Sequence, residues 1–188
     1  MMRFRLGKVQ VELHFSFLLL LSLFLLLEQM GAGLGFLLAV LIHELGHLLM
    51  MGLLSLPVEA LSFSAFGIAI QRGESRRRLL PEILLYLAGP GMNLLCVGLL
   101  DESLIRAFHL ILALLNLLPI LPMDGGNIQL LLLESCLPPE RAERWAKFIS
   151  RLWTLALLIP ALCFLRQQRP TLLLFVLILA LQQKEKGL

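Results

Sequence analysis

The stretch GFLLAVLIHELGHLLMMGLL, residues 35–54, places three ionisable side chains at the centre of a long apolar run. A run of this length predicts a helix that spans a membrane. His43, Glu44 and His47 lie inside that run, where ionisable groups are costly and are usually retained for a function. The stretch therefore indicates a functional site within a membrane helix.

The spacing of these three residues matches the HExxH pattern of zinc hydrolases. His43 and His47 lie one helical turn apart and within about 40° of each other around the axis, so one zinc ion can bind both imidazoles. Glu44 lies on the neighbouring arc, where it can reach a metal-bound water. The alternative is a polar cluster that only hydrogen-bonds between helices, and the motif and the membrane context together favour the zinc site.

The composition predicts an all-α polytopic membrane protein with a small β-sheet at the membrane surface. Of the 188 residues, 59% are hydrophobic and 15% are charged, against about a quarter charged in soluble domains. We expect a single transmembrane domain over residues 1–188, without a separate soluble domain, and three free cysteines that form no CxxC pair. Six transmembrane helices are predicted: Phe15–Leu27, Leu34–Leu54, Leu79–Leu100, Leu104–Met123, Phe148–Leu165 and Thr171–Leu181.

The distribution of positive charge orients these helices. If all six helices span the membrane, all but three of the 16 lysines and arginines lie on one side of it. The exceptions are Arg106, Arg166 and Arg169. Excess Lys and Arg marks the cytoplasmic face. We therefore predict a multi-pass membrane protein with both termini in the cytoplasm.

Two stretches near the predicted cytoplasmic surface have the period of β-strands. They are KVQVELHF, residues 8–15, and VEALSFSAFGIAIQ, residues 58–71. We expect them to pair into a small sheet. The second stretch could hold an extended substrate by strand addition, or it could be a plain packing hairpin.

A catalytic zinc site needs a third protein ligand and an open position. Asp124 lies in NLLPILPMDGGN, residues 116–127, where prolines and glycines break the helix. Broken backbone at membrane depth is tolerated where it lines protein or water, so this aspartate could reach a metal. It could equally cap the helix that follows, and the residues alone leave both interpretations open. The other candidates are weaker: His14 as a surface group, Glu82 as a headgroup contact, His109 as a packed, hydrogen-bonded histidine, and Glu134.

Three motifs occur in order along the chain. They are His43-Glu44-Leu45-Gly46-His47, Gly89-Pro90-Gly91-Met92-Asn93, and the segment from Asn116 through Asp124-Gly125-Gly126. Together they resemble the site-2 protease family of intramembrane zinc metalloproteases, over about residues 9–165. The short segment before the first helix and the sequence LPILPMDGG resemble the sporulation-type branch of the family. Enzymes of that branch cleave a membrane-associated sigma-factor precursor.

The resemblance implies a set of roles. Zinc would be bound by His43, His47 and Asp124, with Glu44 as the catalytic group, and Asn93 and Asn116 would hold the substrate or order the site. Hydrogen bonding between helices is the alternative for the two asparagines. The partners implied are a membrane-associated protein substrate, membrane regulatory or inhibitory proteins and the lipid bilayer, but no nucleic acid.

The chain also departs from the family pattern. Sporulation-type members commonly carry a nucleotide-sensing CBS domain, and neither that domain nor a PDZ-like insert is expected in this sequence. Two other functions stay open at this point: a non-catalytic zinc-binding partner subunit and a metal transporter.

Overall fold

The computed structural model describes residues 2–6, 9–13, 15, 32–56, 58–64, 67–72, 78–166 and 171–185. It divides into two compact units, Met1–Leu114 and Leu115–Leu188. Apart from Phe15, the predicted first span lies outside the described residues, as does His14.

A four-stranded sheet forms part of the first unit. Its strands are β1 (Met2–Leu6), β2 (Val9–Leu13), β3 (Val58–Ser64) and β4 (Gly67–Arg72), in the spatial order β1-β2-β3-β4. β2 pairs in parallel with β3, and the two outer pairs are antiparallel. The expected sheet is therefore confirmed, with β1 as an additional strand.

An ion pair supports the register of β1 against β2. Arg3 lies opposite Glu12, and its Nε lies 2.9 Å from Glu12 Oε1. The same carboxylate oxygen accepts a hydrogen bond of 3.2 Å from Gln10 Nε2. Alternation of Met2, Phe4 and Leu6 with two arginines is the pattern that could have identified this strand.

Two long helices of the first unit carry the first two motifs. They are α1 (Ala32–Leu53) and α2 (Leu79–Leu99), and at about 1.5 Å per residue both reach the roughly 30 Å of a bilayer core. A shorter helix, α3 (Ser103–Asn116), follows α2 and ends just beyond the first unit.

The polarity of α1 is the reverse of a helix in a water-soluble protein. Six leucine side chains along its length are exposed, whereas glycine, alanine and histidine face inward. Lipid solvates a leucine face, and internal packing shelters the polar groups. The exposed leucines are Leu34, Leu38, Leu41, Leu45, Leu49 and Leu53.

The second unit contains three helices, α4 (Asp124–Cys136), α5 (Pro139–Arg166) and α6 (Thr171–Glu185). Small side chains on α5 are buried at four-residue intervals, at Ala142, Ala146, Ser150 and Thr154. Small residues at a helix interface allow close packing in a membrane. Val176 and Leu179 supply the buried face of α6.

The six predicted spans are only partly matched by these helices. Among the described residues, three helices are long and apolar enough to cross a membrane: Gly33–Leu53, Leu79–Leu99 and Pro139–Cys163. The predicted fourth span, Leu104–Met123, is wrong as a continuous helix, because α3 ends at Asn116 and α4 begins at Asp124. Pro119 explains this end, since a proline disfavours helical backbone at the residue before it.

Candidate metal centre

The first part of the site is built by close packing of α1 against α2. A Cβ added at Gly46 would lie 2.5 Å from the main-chain oxygen of Ala88 and 2.8 Å from Met92 Cγ. Backbone therefore meets backbone here, and only glycine fits. This contact brings the two histidines of α1 beside α2.

The two imidazoles face each other through their Nε2 atoms. These atoms are 3.2 Å apart, and both side chains are buried, with 4% of His43 and 8% of His47 exposed. Two nitrogen ligands about 2.05 Å from a tetrahedral zinc ion lie about 3.3 Å apart. The spacing of the two Nε2 atoms therefore fits a shared zinc ion.

A main-chain carbonyl fixes the orientation of His47. Nδ1 of His47 lies 2.9 Å from the oxygen of Leu85. A carbonyl oxygen only accepts hydrogen bonds, so the ring proton is on Nδ1 and the Nε2 lone pair is available for a metal. A metal-binding histidine usually donates the N–H of its other ring nitrogen to a carbonyl or carboxylate in this way.

Gly89 lies in direct contact with both Nε2 atoms. A Cβ added at Gly89 would lie 2.7 Å from Nε2 of His43 and closer still to Nε2 of His47. Gly89 is itself buried. A side chain at this position would therefore collide with both imidazoles and displace their nitrogens.

His43 continues into a buried polar chain. Its Nδ1 lies 3.1 Å from the side-chain nitrogen of Asn93, and the side-chain oxygen of Asn93 lies 2.9 Å from Nδ1 of His109. Asn93 and His109 are 0% and 1% exposed. The expectation of a packed, hydrogen-bonded His109 is confirmed.

Glu44 follows His43 on α1 and is half-buried, while the next residue, Leu45, is exposed. A helix turns about 100° per residue, so the carboxylate points to a different arc from the two imidazoles. This placement fits a group that acts on a molecule bound at the site, rather than a third metal ligand.

In the second unit, Asp124 begins α4. The cap residue of this helix is Met123, so the interpretation of Asp124 as the helix cap is wrong; it is the first helical residue. Only 9% of its surface is exposed. A carboxylate held this far from solvent needs a metal or a polar partner within the protein.

The two glycines after Asp124 accommodate the broken backbone that precedes it. A Cβ at Gly125 would collide with the backbone of Leu117 and Leu118, and a Cβ at Gly126 with that of Ile120 and Leu121. The chain therefore folds back onto the start of α4, and this close approach explains the Asp-Gly-Gly sequence.

The same broken segment is held by three buried polar side chains from α5 and α6. The Leu121 N–H donates to Ser150 Oγ at 2.9 Å, and Gln183 Nε2 donates to the Leu121 oxygen at 3.1 Å. Gln183 Nε2 also lies 2.9 Å from Thr154 Oγ1. We refer to Ser150, Thr154 and Gln183 as the Leu121 clamp.

Sequence reasoning missed the Leu121 clamp. A single polar residue in an apolar helix can be seen in the sequence, but its partner cannot. Ser150 and Thr154 do stand four residues apart, so they share a helix face. That spacing was the one available signal.

The remaining predicted residues differ in how exposed they are. Asn116 is the last residue of α3 and is half-buried, and Glu134 is exposed. Glu82 is only 3% exposed, so the expectation that it faces the headgroups is wrong.

Comparison with known proteins gives a consistent result. The chain is 31% identical to stage IV sporulation protein FB of Bacillus subtilis (strain 168) in an alignment 149 positions long that covers 72% of this chain and 52% of that protein. It thus spans about half the length of this curated relative. The structure also matches the site-2 protease from Methanocaldococcus jannaschii with a TM-score of 0.69 and 21% sequence identity, over 98% of this chain and 94% of that chain.

The chain has the fold of a site-2 protease. The resemblance to the site-2 protease family and its sporulation-type branch, which the three motifs predicted, is confirmed by these two similarities. No protein-family model matches the sequence.

Proposed function

We propose that the chain is an intramembrane zinc metalloprotease that cleaves a membrane-associated protein. The observation that carries the proposal is the 3.2 Å separation of the His43 and His47 Nε2 atoms, both of which lie against Gly89. The similarity to stage IV sporulation protein FB and to a solved site-2 protease supports it.

In this proposal His43, His47 and Asp124 bind the zinc ion. Each offers one ligand atom, two imidazole nitrogens and one carboxylate oxygen, and zinc accepts both kinds of ligand. Three protein ligands leave a fourth position open, as catalytic sites require. When bound, zinc would polarise the scissile carbonyl and lower the pKa of water to about 7.

Glu44 would serve as the general base and then the general acid. Its carboxylate accepts a proton from the attacking water and later delivers that proton to the nitrogen of the leaving amine. Its half-burial beside His43 supports a role next to the reacting atoms rather than as a ligand. Asn93 and Asn116 were expected to hold the substrate or order the site, and for Asn116 we retain that role.

The substrate proposal follows the sporulation-type resemblance. We propose a membrane-associated regulator, such as a sigma-factor precursor, as the substrate, and membrane proteins as regulators. Within the membrane, a helical substrate has its carbonyls in hydrogen bonds with amides four residues on, so it must unwind or enter in an extended form. An edge strand of the β-sheet could hold such a chain by strand addition.

The orientation proposal follows from charge. We propose a multi-pass protein of the bacterial cell membrane with both termini in the cytoplasm, because the lysines and arginines concentrate on one side of the predicted spans.

The experiment compares the purified full-length chain in detergent with Glu44→Gln. The substrates are single transmembrane helices that carry a fluorophore pair, and zinc is measured in the same samples. We expect wild-type cleavage that a chelator stops and zinc restores. Glu44→Gln should retain zinc and lose about 10²- to 10⁴-fold in rate. Glu134→Gln, the same change at an exposed position, should match the wild type.

Two results would contradict the proposal. Zinc binding without cleavage of any helix by the wild type would favour a zinc-binding partner subunit. Zinc transport into vesicles by the wild type and by Glu44→Gln alike would favour a transporter, because transport does not need this carboxylate.

A further inference from the structure

The hydrogen-bond chain from His109 through Asn93 to His43 admits two arrangements of its protons. Both keep all three side chains neutral and contain the same number of protons. They differ in which nitrogen of His43 carries the proton, and therefore in whether this residue can bind a metal through Nε2.

In the first arrangement the His43 proton is on Nε2. It is then donated across the 3.2 Å gap to Nε2 of His47, whose own proton is committed to Leu85. His43 Nδ1 accepts from the amide nitrogen of Asn93, and the amide oxygen accepts from His109 Nδ1. His43 cannot bind a metal through Nε2 in this arrangement.

In the second arrangement the His43 proton is on Nδ1. It must then be donated to an acceptor, and the Asn93 amide lies 3.1 Å from Nδ1. A rotation of 180° about the last bond of an asparagine exchanges its oxygen and nitrogen, which differ little in size. The oxygen then accepts from His43, and the nitrogen donates to His109 Nδ1, whose proton is on Nε2.

We propose that Asn93 is a positioning residue that selects the metal-binding tautomer of His43, with His109 as the partner that takes the other end of the amide. An amide is suited to this role because it offers one donor end and one acceptor end. This proposal rests on the proposed zinc site and assigns Asn93 to the metal rather than to the substrate.

Complete burial makes this role specific. Asn93 is 0% exposed and His109 1%, so water is not available to replace a lost partner. An unpaired buried donor or acceptor costs about 1–3 kcal/mol. Removing a hydrogen-bond partner of a metal ligand typically weakens metal binding by about 10- to 100-fold.

The test measures zinc affinity by competition with a chelator, in the full-length chain in detergent. Asn93→Leu removes both ends of the amide and should weaken zinc binding about 10- to 100-fold. Asn93→Asp keeps an acceptor for His43 Nδ1–H and should bind zinc at least as tightly as the wild type. Gln129→Leu is the matched control, because Gln129 is a half-buried amide with no hydrogen-bond partner among the described residues; its zinc affinity should be unchanged.

A second readout reports the tautomer itself. The ¹⁵N shifts of His43 in the zinc-loaded chain should show a protonated Nδ1 in the wild type and in Asn93→Asp. If Asn93→Leu does not fold, Asn93→Asp still decides the question. Zinc binding in Asn93→Asp that is tenfold weaker than in the wild type would overturn the proposal, as would wild-type affinity in Asn93→Leu.

Failure of the zinc site itself gives a different result. In that case the wild type binds no zinc, or His43→Ala binds zinc as the wild type does. If His43→Ala loses zinc while Asn93→Leu keeps wild-type affinity, the zinc site stands and only the role of Asn93 is wrong.

Discussion

The main-chain oxygen of Leu85 lies 2.9 Å from Nδ1 of His47 and fixes the tautomer of that ring. His43, one turn earlier, has a side chain at the corresponding position, the amide of Asn93. A side-chain substitution at Leu85 leaves its carbonyl in place, whereas a substitution at Asn93 removes the partner of His43. The two histidines should therefore differ in how readily mutation disturbs them.

We first expect one zinc ion per chain, lost when any proposed ligand is replaced. His43→Ala, His47→Ala and Asp124→Ala each remove a ligand atom, and two remaining protein ligands hold zinc much more weakly. Metal analysis of the purified variants measures this. Leu45→Ala, an exposed change on the same helix, should keep the zinc. If Asp124→Ala binds as much zinc as the wild type, a residue other than Asp124 is the third ligand.

Gly89→Ala should abolish zinc binding, because its methyl group would collide with both Nε2 atoms and displace the two imidazoles. Gly98→Ala on the same helix is the matched control, since a Cβ there meets no atom within 4 Å outside its own stretch of helix. It should bind zinc normally and be as stable as the wild type or up to about 1 kcal/mol more stable. Equal zinc binding by both variants would show that the close fit of Gly89 against the histidines is not needed for the metal site.

Removal of the Leu121 clamp should destabilise the second unit. Ser150→Ala leaves the buried Leu121 N–H without its acceptor, and Gln183→Leu leaves the Leu121 oxygen without its donor. Each change should lower the free energy of unfolding by about 1–3 kcal/mol, measured by unfolding in mixed micelles. Ser135→Ala, at an exposed serine, should stay within about 0.5 kcal/mol of the wild type.

The proposed orientation predicts where an impermeant thiol reagent can react. A cysteine-free background is needed first, because Cys136 and Cys163 are exposed. Single cysteines at Ser75 and Gly187 should then be labelled in inverted membrane vesicles and protected in intact cells. A cysteine at Arg106, in the predicted outer set, should show the reverse. Labelling of Ser75 or Gly187 in intact cells would overturn the cytoplasmic placement.

The sequence predicted the helices of the first two motifs well because apolar length and HExxH spacing are local signals. It also predicted a broken helix within residues 116–127, but the predicted fourth span still ran to Met123, since Leu117 and Leu118 are as apolar as the helix before them. The Leu121 clamp could not be predicted from the sequence for a different reason. A hydrogen bond between Gln183 and Leu121 joins residues 62 positions apart, and no local pattern specifies such a pair.

The candidate site, like the fold, was only partly predictable from the sequence. Spacing on one helix predicted that His43 and His47 face one point, and the 3.2 Å separation agrees. The role of Leu85 was not predictable, because a main-chain carbonyl carries no residue-specific signal. Asn93 and His109 were both noticed in the sequence, but their contact depends on the packing of α2 against α3.

The contact between Gly46 and Ala88 has a consequence for motion. Because the two backbones touch there, α1 and α2 cannot slide along each other by one residue, about 1.5 Å, without driving a side chain into a main-chain carbonyl. We therefore expect His43, His47, Gly89 and Asn93 to move together. A conformational change around these residues should bend or displace other elements more readily than it separates this helix pair.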